Sequence, residues 1–144
     1  MPDKSPPHPV IYQDSVDSVT AEMLKGFFEG WPNPPTPQTH LKILQNSAHV
    51  VLAIDGVLPQ VIGFATALSD GVSCAYIPHL EVLKTYRGCG IGSELIRRLL
   101  KALNEIYMID LICDPAVEPF YERLKFRKNS GMILRNYHHQ SGLV

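Results

Sequence analysis

Arg87-Gly88-Cys89-Gly90-Ile91-Gly92 constrains this chain more than any other stretch, because its three glycines stand between an apolar strand pattern and an amphipathic helix pattern. Glycine admits the backbone of a tight turn and leaves neighbouring amides free of side-chain obstruction. Before the loop, Ala75 to Leu83 is short, apolar and β-compatible, with Pro78 signalling a bulge or another sheet irregularity. After it, Ile91, Leu95, Ile96, Leu99, Leu100 and Leu103 recur at helical spacing, while Glu94, Arg97, Arg98 and Lys101 take the other side. A strand, a glycine loop and a helix therefore follow one another, and helices pack on a sheet. The helix directs unpaired N–H groups and the positive end of its dipole at the loop. That is a site for a phosphate-bearing ligand.

Three ligand types use such a turn, and glycines can also mark a plain strand-to-helix turn. A nucleoside-triphosphate loop needs Gly-Lys-Ser/Thr, but Ser93 follows Gly92 with no lysine between them. A dinucleotide fold needs glycine at the sixth position of Gly-x-Gly-x-x-Gly. Counted from Gly88 that position is Ser93, and from Gly90 it is Leu95. Asp110 stands at a distance suited to a ribose contact, so a dinucleotide stays open.

The third pattern, Arg/Gln-x-x-Gly-x-Gly/Ala, is filled by Arg87 to Gly92. Here the chain resembles the GNAT superfamily of acyl-coenzyme A-dependent N-acetyltransferases. Leu80 to Gly92 is similar to that family's strand-and-loop segment, with Lys84 where proline is common. A second segment, Asp114 to Phe126, resembles the family pattern Ala-x-x-Phe-Tyr-x-x-Leu-Gly-Phe, with Lys125 in place of glycine. The two motifs occur in the family's order. Phe27-Phe28-Glu29-Gly30-Trp31-Pro32 and Gly131-Met132 are similar to a subgroup that includes plant arylalkylamine acetyltransferases.

The resemblance implies acetyl-CoA as co-substrate and no metal. The coenzyme-binding set it implies is Arg87, Gly88, Cys89, Gly90, Ile91, Gly92 and Ser93, with main chain at Val82 and Leu83 for pantetheine and Asp114 from the second motif. Tyr121 is the expected general acid, since a phenol can protonate a departing thiolate. Glu81 leads as base, with His79, Asp70, Tyr76, Asp110, Asp114 and a water relay also open. Phe27, Phe28 and Trp31 are the expected walls of the acceptor pocket, and they suit core packing equally. The expected reaction moves acetyl to a primary amine by direct attack in a ternary complex. The acceptor is a small amine, arylalkylamine or polyamine-like, or a protein amino group. A non-catalytic acyl-CoA sensor would keep the loop and leave Tyr121 idle.

With 144 residues, 45% apolar and 19% charged, the composition is that of one folded domain rather than a disordered chain. A formal charge of −1 supplies no field for nucleic acid and no anchor for a membrane surface. Cys74, Cys89 and Cys113 are widely spaced, which suggests neither zinc nor a disulfide framework and fits a cytoplasmic setting. His138 and His139 lack a third ligand at useful spacing. The resemblance leaves a homodimer as a possible assembly.

Residues 1–9 read as a loose leader and 10–144 as one domain. The expected order from Val10 is a strand, two helices, three strands, a helix, a strand, a helix and two closing strands. The first helix would run from a cap at Ser18 or Thr20 through Phe28, and the second from about Gln38 to Asn46. His49 to Ile54 and Val61 to Leu68 form a hairpin, Met108 to Cys113 a later strand and Met132 to Tyr137 the last. The resemblance makes this an α/β (α+β) fold: a mixed, mostly antiparallel sheet with splayed middle strands, flanked by about four helices.

Overall fold

The computed structural model describes residues 3–143, so Met1 and Pro2 of the expected leader and Val144 of the domain lie outside the described residues. Its strands are β1 (Val10–Gln13), β2 (His49–Asp55), β3 (Val61–Ser69), β4 (Cys74–Val82) and β5 (Met108–Asp110). They form one sheet in chain order; neighbours are antiparallel through β4, and β5 runs parallel to β4. The helices are α1 (Pro37–Asn46), α2 (Ile91–Ala102) and α3 (Glu118–Arg123). Three α-helices and four single-turn 3-10 segments thus stand among the described residues, where about four helices were expected.

Each sheet face has its own core. Val51, Ala53, Ile62, Ala65 and Ala67 pack against Ile91, Leu95, Ile96, Leu99 and Leu103, the apolar stripe of α2. Gly63, Ala65 and Ala67 are small because α2 lies close: a Cβ on Gly63 would sit 3.1 Å from Leu95 Cδ1. Val50, Leu52 and Phe64 face the other way, against Leu24, Phe28 and Leu44. Burying each such aliphatic side chain contributes about 1.5–3 kcal/mol.

α1 matches its expected span, with the Thr36 hydroxyl accepting from Thr39 N–H at 3.2 Å and Pro37 in the first turn. The helix expected through Phe28 is only a 3-10 turn, Ala21–Leu24. Gly26 (φ +96°) and Phe28 (φ +62°) are left-handed and end it. Pro78 does mark a bulge: Thr66 pairs His79 and Leu68 pairs Tyr76, so β4 carries one extra residue between them. The bulge reverses parity, which puts Ile77 and then Leu80 and Val82 on the α2 side.

Three other expectations are corrected. The strand after α2 pairs only at Met108, Ile109 and Asp110, with Cys74, Ala75 and Tyr76; Leu111 to Cys113 diverge from β4. Met132 to Tyr137 is not a strand, and the two closing strands are not formed among the described residues. Residues 3–9, expected as loose, are tied down. Asp3 and Lys4 N–H both donate to Gly88 O, at 2.9 and 3.1 Å, and Gly56 N–H donates to Pro9 O at 2.7 Å.

Candidate active site

Because β4 and β5 pair over three residues and then part, a cleft opens beyond their last pair, between β4 and α3 at the mouth of α2. It measures about 750 Å³ and is lined by Leu80, Glu81 and Val82, by the whole stretch Arg87–Ser93, and by Phe120 and Tyr121 of α3. Every expected loop residue therefore reaches one cavity. Gly88 (φ +77°) and Gly90 (φ +80°) need the left-handed backbone that glycine adopts without strain. Gly90 is the N-cap of α2 and has no side chain to cap with. The first intrahelical bond runs from Glu94 N–H to Gly90 O, so the amides of Ile91, Gly92 and Ser93 have no helical partner. They meet the positive end of a twelve-residue helix.

Gly92 has a different use, since its φ is not positive. A Cβ there would project toward Phe120 Cζ at 3.6 Å and Val82 Cγ2 at 3.9 Å, into the space between β4 and α3. The cradle is thus shaped by a missing side chain, and amides, dipole and space together fit a diphosphate. Arg97 and Arg123 add positive charge to its wall, and Asp3 adds one carboxylate.

The register of β3 and β4 decides which main chain faces the gap. Leu83 N–H donates to Ile62 O at 2.8 Å, and Leu83 O accepts from Tyr86 N–H at 2.9 Å. In an antiparallel ladder the hydrogen-bonding residues alternate, so Glu81 and His79 also bond toward β3 while Leu80 and Val82 turn to the gap. Val82 O already accepts from Arg87 Nε at 2.8 Å. Of the two expected pantetheine positions, Val82 faces the gap and Leu83 does not; Leu80 does, and the sequence reading missed it. Asp114 starts the turn before α3, its carbonyl accepting from Val117 N–H at 3.0 Å, and it does not line the cleft.

Tyr121 stands where the splayed strands part and lines cavities on both sides of the opening. Its ring packs edge-on against Phe120 and Phe126, at 4.9 and 5.6 Å between centroids. Burial, and secondarily the nearby Cys113, push the phenol up to about 12. No protein group bonds its hydroxyl among the described residues, so the proton is held and available.

Glu81 lies on the opposite face of β4 from Leu80 and Val82. Its two oxygens accept from Phe28 N–H at 2.8 Å and Glu29 N–H at 3.3 Å. It thereby holds a loop that contains a left-handed phenylalanine, a conformation costing about 1 kcal/mol or more. Glu29 in turn accepts from Arg87 Nη2 at 2.7 Å. Phe28 is buried, Phe27 half-buried and Trp31 40% exposed, and Phe28 lies 5.0 Å from the Trp31 ring. The first two pack against the Phe64 ring as part of the core.

Sequence reading also missed His40 and Asp55. His40 is 1% exposed, ringed by Phe27, Phe28 and Phe64, and neither ring nitrogen has a partner among the described residues. Burial, helped by nearby His79, lowers it to about 4, so it is neutral at physiological pH. Its four-residue spacing from Leu44 on α1 was the available signal. His79 is likewise lowered by burial, and its Nδ1 lies 3.0 Å from Thr66 Oγ1.

Asp55 accepts from Tyr86 Oη at 2.7 Å, from Val57 and Leu58 N–H at 2.8 and 2.7 Å, and pairs with His8 Nδ1 at 2.7 Å. Burial raises its carboxyl, but the Leu58 amide, the Tyr86 hydroxyl, His8 and the Val57 amide outweigh that and hold it well below the usual range. Tyr86, pushed up to about 12 mainly by its bond to Asp55 and then by burial, closes the turn that enters the glycine loop. A buried carboxylate on β2 thus fixes the approach to the glycine loop.

The model of the acetyltransferase (GNAT) family matches residues 16–126. The chain belongs to the GNAT family. Among solved structures, an acetyltransferase assignment from Deinococcus radiodurans R1 shares 50% identity and a TM-score of 0.91, covering 94% of each chain. An uncharacterized N-acetyltransferase, ycf52 of Pyropia yezoensis, is 31% identical over 104 residues, 69% of this chain and 59% of the relative. A ycf52-like N-acetyltransferase of Prochlorococcus marinus is 34% identical over 97 residues, 65% of this chain and 53% of the relative. The chain thus spans a little over half the length of these curated relatives. Among the described residues no helix is long and apolar enough to cross a membrane, and no group of three or more His, Cys, Asp or Glu could hold a metal ion.

Proposed function

We propose that this GNAT domain transfers acetyl from acetyl-CoA to a primary amine, in the cytoplasm, by direct attack within a ternary complex. The observation that carries the reading is the convergence, on one cleft, of the α2 amides, the unpaired edge of β4 and the Tyr121 hydroxyl. Amides of Ile91 to Ser93 hold the coenzyme diphosphate, and the Leu80 and Val82 main chain receives pantetheine as an added half-strand. Acetyl-CoA supplies the acyl group as a thioester. The amine nitrogen forms a bond to the carbonyl carbon, the carbon–sulfur bond breaks, and Tyr121 gives its proton to the departing sulfur. The amine loses its proton on the face of β4 that carries His79 and Glu81, where a neutral imidazole can take it.

The acceptor enters beside Trp31, whose ring lies exposed over the buried Phe28 and suits an amine with an apolar body. Incubation with acetyl-CoA and a panel of arylalkylamines, polyamines and lysine peptides should release free thiol with at least one class. Saturable coenzyme binding without thiol release on any acceptor would make the domain a sensor.

Glu81 serves this reaction as the anchor of the acceptor loop. Glu81→Gln keeps one acceptor oxygen and loses the other, so the bond to Phe28 or Glu29 N–H fails. The expected result is a several-fold rise in the amine KM, with kcat within about threefold of wild type and the pH profile unchanged in shape. A fall in kcat of roughly a hundredfold, with the acidic limb abolished, would make Glu81 the base instead.

A further inference from the structure

We propose that Asp3 and Lys4 are positioning residues for the coenzyme: their main-chain amides grip Gly88 O and so set the direction of the Cys89 N–H, a further donor to the diphosphate. The inference rests on the coenzyme site proposed above. Asp3 and Lys4 N–H both donate to Gly88 O, at 2.9 and 3.1 Å, and Lys4 Nζ donates to Thr85 O at 3.2 Å. Gly88 has φ +77°, and neither it nor Cys89 belongs to a helix or strand. A peptide beside glycine can turn over at little cost, since glycine tolerates backbone of either hand. In a planar trans peptide the C=O and the N–H point opposite ways. Whatever holds Gly88 O therefore aims Cys89 N–H. That amide has no main-chain acceptor among the described residues, and Cys89 lines the cleft together with Ile91, Gly92 and Ser93.

The grip is itself anchored. No residue from 3 to 9 is buried, so hydrogen bonds rather than packing hold this strap in place. At its far end His8 Nδ1 lies 2.7 Å from Asp55 Oδ2, and Pro9 O accepts from Gly56 N–H at 2.7 Å. Asp55 also accepts from Tyr86 Oη at 2.7 Å, and Tyr86 ends the turn that enters the glycine loop. One buried carboxylate therefore ties the loop through Tyr86 and the strap through His8. The Lys4 stem completes the contact, with Cε and Cγ 3.7 and 3.8 Å from where a Gly88 Cβ would stand. Asp3 also lines the cleft, and there its carboxylate opposes a diphosphate. Amide and side chain of one residue thus act in opposite senses, so the test must remove them separately.

Asp3→Pro/Lys4→Pro removes both N–H donors, while Asp3→Ala/Lys4→Ala removes the same two charges and keeps the donors. Calorimetric titration with coenzyme A should give the proline pair a Kd at least about threefold above that of the alanine pair, the scale of one lost hydrogen bond. Deletion of residues 2–6, which joins Met1 to Pro7 and brings in no proline, should match the proline pair. Far-ultraviolet circular dichroism should be the same in all three. With an active acceptor, the KM for acetyl-CoA should rise by the same factor while kcat stays within about twofold. A smaller ratio between the two pairs, a deletion that binds like the alanine pair, or a loss confined to kcat would each overturn the proposal. A wild type with no affinity for coenzyme A would instead remove the diphosphate site itself. Wild-type binding shared equally by every variant would remove the grip alone.

Discussion

Tyr121→Phe is expected to lower kcat by roughly a hundredfold or more while leaving the Kd for acetyl-CoA within about twofold. The argument rests on what phenylalanine keeps. The ring stays wedged between Phe120 and Phe126, so the cleft keeps its shape and the α2 amides are untouched. Only the hydroxyl goes, and that hydroxyl bonds no protein group among the described residues, so its loss leaves no orphaned partner. A thiolate leaving without a proton in a partly buried cleft must be stabilised by water alone. Burial pushes the phenol up to about 12, so the acid stays protonated through neutral and mildly alkaline pH. An alkaline limb in kcat below about pH 11 therefore belongs to another group, and Tyr121→Phe should scale the profile without moving such a limb. Stopped-flow or steady-state thiol release, with coenzyme affinity from calorimetry, separates the two quantities. An unchanged kcat would remove Tyr121 from the reaction.

The parts of this site legible in the sequence are those whose chemistry is local. Gly88 and Gly90 announce their own left-handed backbone, and the stripe from Ile91 to Leu103 announces its own helix, because both are set by residues a turn or less away. Pro78 announced the bulge for the same reason. What failed was non-local. The stretch through Phe28 has helical spacing, but Glu81, fifty-three positions later, holds Phe28 and Glu29 by their amides in a turned conformation. Whether Leu80 or Leu83 faces the cleft depends on a register with β3 that no periodicity contains. Met132 to Leu134 has strand composition, yet strand geometry needs a paired neighbour, and among the described residues this run pairs with none. Asp55 and Tyr86 meet across thirty-one positions, so neither could be read as part of the loop's support.

Gly92 offers the sharpest separation of stability from ligand binding. Within α2 its backbone is ordinary helix, so glycine is not required there for conformation. Alanine is the better helix former by about 1 kcal/mol, and the Cβ it adds meets Phe120 at 3.6 Å, an ordinary contact. Gly92→Ala should therefore raise Tm. Gly92→Val carries two further methyl groups into the space between Val82 and Phe120, beside the amides proposed to hold the diphosphate. It should weaken coenzyme A binding at least about tenfold, or about 1.4 kcal/mol, with the fold retained. Thermal unfolding and calorimetric titration with coenzyme A, run on both variants, would show stability gained in Gly92→Ala and affinity lost in Gly92→Val. That opposition is what a glycine kept for its ligand predicts, because a glycine kept for the fold would lose both together. Wild-type affinity in Gly92→Val would place the diphosphate elsewhere, and the cleft between β4 and α3 would no longer be the coenzyme site.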